Sequence, residues 1–309
     1  MYHVEGRRQS EVAAHFRLSQ ATVSRLLKKA LDEGIVRITV SPPPETHIEL
    51  GTELRDRFGL AEAIVADVAE DREGAIMARI GEAAAHFLEA TIEPGEVIGV
   101  SSWSQTILKM IDNIHPMKSG SAKAIVQMLG GIGNPSVQKH ATQLTTRLAA
   151  LTGAEPMILN APALVASREA RLVLLGDAFV RETMEEFAAI TLAIVGIGAM
   201  HPSRMLAESG NIFSGQELEK VEAAGAVAEM GLRFFDREGR SVPTAFEERV
   251  IGITPDELRR VRRVIAVAGG AAKTEAIAAV LRSGLVHILV TDHFTAARLV
   301  GKEVQVEAL

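Results

Sequence analysis

Val264-Ile265-Ala266-Val267-Ala268-Gly269-Gly270-Ala271-Ala272-Lys273 is the stretch that decides how this chain folds. An unbroken apolar run of this length reads as a strand covered on both faces, and the paired glycines end it in a tight turn. A helix follows the turn. The same unit recurs three times. Val97 to Val100 runs into Ser101-Ser102-Trp103-Ser104-Gln105-Thr106, Ala124 to Leu129 into Gly130-Gly131-Ile132-Gly133, and Ile288 to Val290 into Thr291-Asp292-His293-Phe294-Thr295. Strand, turn and helix in repetition predict an α/β domain whose mainly parallel sheet carries helices on both faces. In such sheets ligands bind beyond the strand C-termini, where loops converge and helix N-termini offer free N–H groups.

Each glycine turn alone is equally well a turn that needs positive φ. Gly130-Gly131 and Gly269-Gly270 gain weight as a pair. Neither stands in a G-x-G-x-x-G context, and no G-x-x-x-x-G-K-[ST] occurs, which disfavours a dinucleotide or nucleoside triphosphate and leaves a sugar, polyol or sugar phosphate. No cofactor is expected. The nine histidines show no metal-ligand spacing, so no metal is expected either.

The chain has 309 residues, 47% of them hydrophobic, enough for one small and one large domain. It has no cysteine, which excludes disulfides, thiolate metal sites and cysteine nucleophiles. Met1 to Arg17 has no signal-peptide core, and no stretch is apolar long enough to span a bilayer, so a cytoplasmic protein without membrane contact is expected. The net charge of −6 is unevenly spread. Residues 1 to 40 carry seven basic and four acidic side chains, and the remainder carries nine excess negative charges. A basic end on an acidic body suits a protein that presents one small segment to nucleic acid.

That end has the spacing of a helix-turn-helix. Val12, Ala13 and Phe16 share a helical face, Leu18-Ser19 interrupts it, and Ser19 caps a second helix whose Val23, Leu26, Leu27, Ala30 and Leu31 form an apolar stripe. The other face presents Gln20, Thr22, Ser24, Arg25, Lys28 and Lys29. Short polar groups near a helix N-terminus reach base edges in the major groove, while cations farther along neutralise phosphates. Ser19, Gln20, Thr22, Ser24, Arg25, Lys28 and Lys29 are therefore the candidate DNA-binding residues. A surface hairpin of two amphipathic helices is the alternative. Glu33-Gly34 ends the second helix, and Ile35 to Val40 reads as a short strand or wing.

Ser41-Pro42-Pro43-Pro44 marks a boundary, because consecutive prolines lack donors and favour an extended chain. The expected division is a helix-turn-helix domain over 1–41, a linker and connecting helix over 42–60 and an effector and oligomerisation domain over 61–309. Thr46 to Phe58 reads as an amphipathic helix and Ala63 to Ala66 as a strand.

Ala21-Thr22-Val23-Ser24-Arg25-Leu26-Leu27-Lys28-Lys29-Ala30, followed by Gly34-Ile35-Val36, resembles the N-terminal domain of the SorC family of sugar-responsive transcriptional regulators. The resemblance continues through Gly95 to Val100, Val126-Gln127 with Gly130-Gly131, Phe234-Phe235-Asp236 with Gly239, Arg249 to Ile253, Val267 to Gly270 with Lys273, and Val290-Thr291-Asp292 with Thr295-Ala296. It implies a winged helix-turn-helix joined to a Rossmann-like effector domain similar in fold to glucosamine-6-phosphate deaminase and ribose-5-phosphate isomerase. It further implies operator DNA and a sugar, polyol or sugar-phosphate effector as partners, and a homotetramer or dimer. The protein is then not an enzyme but a regulator of a carbohydrate or polyol operon.

Carried over by resemblance, Gly130 and Gly131 cradle an anion, Arg249 and Lys273 contact ligand oxygens, and Asp236 and Asp292 accept hydroxyl hydrogens. Ser101, Ser102, Trp103, Thr106, Gly269 and Gly270 complete the expected ligand set. Plain structural roles stand beside these: Arg249 pairing with Glu247 or Glu248, Lys273 solvated, Asp236 shaping a turn, and Trp103 filling core. The chain departs from the family pattern at Ser102-Trp103-Ser104-Gln105-Thr106, one residue longer than the usual turn, at Ala228-Glu229 in place of Gly-Asp, and at His293 in place of Glu. The extra hydroxyls suit an unphosphorylated polyol. Against the family the first helix reads as clipped. The rival function is a sugar-phosphate isomerase or deaminase with Asp292 or Glu229 as general base and Lys273 holding phosphate.

Overall fold

The structure is a computed structural model that describes residues 1–32, 35–36, 46–117, 120–201, 204–211 and 213–302. The chain divides into two compact units, Met1–Pro43 and Pro44–Leu309.

The smaller unit contains α1 (Tyr2–Glu5), α2 (Gln9–Phe16) and α3 (Gln20–Asp32). Arg17 takes the left-handed conformation (φ 53°) and turns the chain out of α2 while its N–H still bonds the last carbonyls of that helix. Ser19 caps α3 as expected, its hydroxyl accepting from the Thr22 N–H at 3.1 Å. Val12, Ala13 and Val23 are buried, with Met1, Tyr2 and Leu27 packed on them. The apolar stripe is only half used. Leu26 and Phe16 remain 53% and 57% exposed, because so few short helices cannot enclose every apolar side chain they carry. Of the expected wing, Ile35 and Val36 form a bend rather than a strand, and 37–40 lie outside the described residues, as do Glu33-Gly34 and the linker at 41–45.

The larger unit holds α4 (Ile48–Phe58), β1 (Glu62–Ala66), α5 (Glu73–Thr91), β2 (Glu96–Val100), α6 (Gln105–Asn113), β3 (Ala122–Gln127), α7 (Pro135–Thr152) and β4 (Glu155–Met157). It continues with α8 (Arg168–Gly176), α9 (Ala178–Glu185), β5 (Leu192–Val195), α10 (Arg204–Ser209), α11 (Gly215–Ala223), β6 (Ala226–Met230) and β7 (Arg233–Asp236). It ends with α12 (Pro255–Leu258), β8 (Arg263–Val267), α13 (Thr274–Arg282), β9 (Ile288–Asp292) and α14 (His293–Val300). The helix read as a connector, α4, packs on β1 and α14 as part of this unit.

Among the described residues the main sheet has seven strands in the order β1-β9-β8-β5-β2-β3-β4, and every pairing is parallel. The α/β reading from strand-turn-helix repetition is borne out. Successive residues point to opposite faces. Val97, Val126, Val195 and Val264 join one core with Leu54 of α4 and Ile277 and Val280 of α13. Ile98, Ile125, Ile194 and Ile265 join another with Ile80 of α5, Ile107 of α6 and Leu144 of α7. Burial on both faces is why these strands carry no polar alternation.

β2, β3 and β4 are laid down in one direction across the sheet, whereas β5, β8 and β9 are added on the other side of β2. The topology therefore reverses between β2 and β5, and the loops leaving those two strands diverge to opposite faces and open a crevice. A separate antiparallel hairpin, β6–β7, turns through Gly231 and Leu232, both at positive φ, as a two-residue turn requires. Gly198, in the loop after β5, exchanges both backbone hydrogen bonds with Glu229 of the hairpin at 2.9 Å.

Candidate functional site

Two regions carry the residues expected to be functional. On α3, Gln20, Ser24 and Lys28 follow at steps of four and form one exposed row, with Arg25 and Lys29 exposed beside it. Val23, 3% exposed, anchors the opposite side of the helix. The Ser19 hydroxyl lies 2.8 Å from that of Thr22. One helix thus presents short polar groups at its N-terminal end and cations behind them.

The second region is a cavity of about 630 Å³ at the reversal of the sheet. The β2 loop contributes Ser101 and Trp103, the first turn of α6 Thr106, the β5 loop Gly196 and Gly198, the hairpin Glu229, and the turn after β8 Lys273. The size suits a small polar metabolite. Of the expected ligand set, Ser101, Trp103, Thr106 and Lys273 meet here.

Lys273 sits at the end of the short turn that follows Gly270, which takes φ 102°. Half-buried, its ammonium has no hydrogen bond or ion pair among the described residues. Burial pushes its pKa below the ordinary 10.5, against the attraction of Glu73 and Glu229, which line the same cavity. Burial likewise pushes the Glu229 carboxyl above its ordinary 4.5, opposed by the Leu232 N–H, which donates to it, and by Lys273. An ammonium attracted by two carboxylates, with Ser101 and Thr106 in the same wall, can bind a polyhydroxylated molecule: carboxylates accept from vicinal hydroxyls and the cation donates to oxygens or to an anionic group.

The remaining expected residues shape the cavity from behind or lie elsewhere. Ser102 is fully buried; its hydroxyl donates to the Leu129 carbonyl at 2.5 Å and accepts from Gln127 Nε2 at 3.0 Å. Trp103 is 5% exposed and donates its indole N–H to the Gly130 carbonyl at 3.0 Å, so it fills core and walls the cavity at once. Gly130 and Gly131 spend their N–H groups on Ile251 and Leu159 carbonyls, and a Cβ on either would meet Pro162 backbone or the Gln127 amide at 2.4 and 2.3 Å. Their requirement for glycine is close packing.

Asp292 is fully buried and caps α14. Its Oδ1 accepts from the Thr295 N–H at 2.8 Å and its Oδ2 from the Thr295 hydroxyl at 2.6 Å and the Gly270 N–H at 3.2 Å. Gly269 lets the turn approach that carboxylate, since a Cβ there would stand 2.3 Å from Oδ2. Asp236 closes the turn after β7, accepting from the N–H groups of Glu238 and Arg240 and from the Arg240 guanidinium at 2.7 Å. Arg249 donates to Glu217 at 2.6 Å and to the Val165 carbonyl at 3.0 Å, and lies over the rings of Phe213 and Phe246. None of Asp292, Asp236 and Arg249 lines the cavity.

The β5 loop, Glu73 and His201 also belong to this wall, and none of them is in the expected ligand set. Val195-Gly196-Ile197-Gly198 after the apolar Leu192–Val195 was the available signal, a fifth strand running into glycine.

Residues 43–301 match the family model described as "Putative sugar-binding domain". The chain is 33% identical over 310 residues to the erythritol catabolism regulatory protein EryD of Brucella abortus, covering 98% of this chain and 94% of that one. It is 27% identical to the deoxyribonucleoside regulator of Bacillus subtilis over 97% of this chain and 95% of the relative. The full-length sorbitol operon regulator SorC of Klebsiella pneumoniae superposes with a TM-score of 0.74 at 25% identity, over 97% of this chain and 96% of that structure.

Proposed function

This chain belongs to the SorC family of sugar-binding transcriptional regulators, and from that premise we propose that it is a DNA-binding regulator of a carbohydrate or polyol operon, controlled by a small polyhydroxylated effector in the cavity between the β2 and β5 loops. The half-buried ammonium of Lys273, without an ion pair among the described residues and facing the cavity, carries this reading. Ser101, Trp103, Thr106, Glu229 and Lys273 touch the effector; Ser102, Gly130, Gly131, Gly269, Gly270 and Asp292 hold the loops that present them. Asp236 and Arg249 act as supports for the hairpin and for the segment before α12. Operator DNA meets Ser19, Gln20, Thr22, Ser24, Arg25, Lys28 and Lys29 of α3, in the cytoplasm, and the protein works as a homo-oligomer, a tetramer or dimer. The effector shifts the population of DNA-competent arrangements.

The protein performs no catalysis. A general base needs a free oxygen facing substrate, and Asp292 has both oxygens committed to α14 and the Gly270 N–H. Glu229 does face the cavity, so an isomerase assay belongs beside the binding test.

Trp103 is the sole tryptophan and lines the cavity, so its fluorescence reports binding directly. A panel of sugars, polyols and their phosphates is titrated against the full chain, and each compound that changes the emission is added to a gel shift on the promoter fragment of the adjacent operon. One compound should do both. A chain that ignores every fragment at low salt, or turns over a sugar phosphate without any shift, refutes the proposal.

A further inference from the structure

Outside the cavity, one cluster of metal-ligating side chains stands unused among the described residues: His47, Asp67 and His293. Their spacing along the chain is uninformative, and the sheet brings them together. Ala66 and Asp292 are paired at the ends of the parallel neighbours β1 and β9, so the residues that follow each, Asp67 and His293, leave the sheet side by side. Thr46 bridges to Ala66, and the His47 N–H donates to the Val65 carbonyl at 2.9 Å, which sets His47 beside the same strand end. Asp67 is held further by its own carbonyl, which accepts from Arg79 Nε at 3.2 Å.

The side chains converge on one point. His47 Nε2 lies 2.8 Å and His293 Nδ1 3.6 Å from the same oxygen, Asp67 Oδ1, and one donor atom from each residue lies within 4.8 Å of the others. A tetrahedral ion with bonds of ~2.0–2.2 Å sets its ligand atoms roughly 3.3 Å apart, between the two distances found. The imidazoles lie 4.7 Å apart, tilted by 33°, so neither ring blocks the other's approach to the carboxylate. His47 and Asp67 keep 39% and 41% of their side-chain surface, which leaves room for water in the remaining positions. The buried Val68 N–H donates to His293 Nδ1 at 3.3 Å, so coordination through Nδ1 gives up that long bond and has to outweigh the cost of a buried N–H left without it.

We propose that His47, Asp67 and His293 form a binding site for one divalent transition-metal ion of the zinc, cobalt or nickel type. Two imidazoles and one carboxylate select such ions over magnesium and calcium, which require oxygen shells. The site lies apart from the effector cavity, none of whose walls it shares. His47 follows the proline segment in sequence, so the ion ties the chain's entry into the larger unit to the ends of two strands. Binding to the folded chain alone raises stability in proportion to the logarithm of the metal concentration.

The full chain, stripped with chelator, is titrated with Co2+ while the visible spectrum is recorded, and with Zn2+ by calorimetry and thermal denaturation. The absence of cysteine removes thiolate competition. One equivalent per chain, a tetrahedral Co2+ absorption and a Tm rise with Zn2+ but not Mg2+ are expected. His47→Ala and the shape-preserving Asp67→Asn should each weaken binding on the order of 100-fold, since even outer partners of a metal ligand cost up to that much. His115→Ala, remote from the cluster, should not. No Co2+ band, an equal response to Mg2+, or variants that bind like the parent overturn the proposal.

Discussion

Gly198 and Glu229 exchange both of their backbone hydrogen bonds at 2.9 Å, and this pair fastens the loop after β5 to the β6–β7 hairpin. A Cβ at residue 198 would stand 2.7 Å from the Glu229 carboxylate, so glycine is what allows the approach. The exchange holds a carboxylate inside the cavity wall, where its charge is poorly solvated, and that has consequences for stability.

Burial raises the pKa of Glu229, so its favourable contribution to folding is present below its ordinary 4.5 and is lost as pH rises through the higher folded value. Glu229→Gln keeps an oxygen for the Leu232 N–H and removes the charge. The ligand-free variant should be more stable than the parent at neutral pH, and the difference should vanish below pH 4.5. A kcal/mol moves the Tm of a domain this size by roughly 2–4 °C, within reach of scanning calorimetry. A difference that does not change with pH would contradict the assignment.

Arg249 and Glu217 form a partly buried pair at 2.6 Å. Burial pushes the Glu217 carboxyl up, but hydrogen bonds from Ser214 and Arg249 outweigh it and hold the pKa below 4.5. The pair's contribution is therefore present above 4.5 and lost as pH falls through the folded value. Arg249→Met should lower stability at neutral pH by about 2–4 kcal/mol, from a charge-assisted bond, a carbonyl left without its donor and two lost cation–π contacts. Effector affinity, read by Trp103 fluorescence, should stay within a factor of two or so of the parent. A large affinity loss without destabilisation would return Arg249 to the ligand.

Gly269→Ala forces a methyl against the fully buried Asp292 Oδ2 and the Ile76 side chain. Overpacking of this kind costs ~1–3 kcal/mol, and the Thr295 and Gly270 bonds to Asp292 loosen with it. Hydrogen exchange should then quicken selectively at the N-terminus of α14. Unchanged protection there would mean that the turn yields without cost.

Lys28→Ala should weaken binding to all DNA fragments about equally and flatten the slope of log affinity against log salt by roughly 0.9, the value for one phosphate. Thr22→Ala should instead alter preference among fragments and leave the slope alone. If the Lys28 change leaves the slope untouched, α3 does not meet phosphates there.

Which parts of this were legible in the sequence follows from how local each cause is. Val264 to Ala268 and Ile288 to Val290 announce buried parallel strands because both faces need apolar residues at every position. Ser19 announces α3 because a cap bonds within its own turn. Lys273 and Trp103 stand just beyond strands, and the family resemblance assigns them to the ligand set. Asp292 and Gly269 are also in the expected set, but their partnership, a buried cap and the glycine that lets it be approached, arises between the ends of two neighbouring strands far apart in the chain. The β5 loop carries the same local signal, Leu192 to Val195 running into glycine, but its place beside β2 is set by sheet pairing and not by spacing.

By itself the sequence determined the α/β class, the basic helix-turn-helix at one end, and the strand ends from which a site could be built, since propensity, periodicity and charge act over a few residues. Strand order was decided only in three dimensions: sheet pairing placed β5 against β2, opened the cavity there rather than at the glycine pairs, and gathered His47, Asp67 and His293 at another edge. Hydrogen bonding between distant segments leaves no spacing in the chain, so the company each side chain keeps became visible only once the sheet was closed.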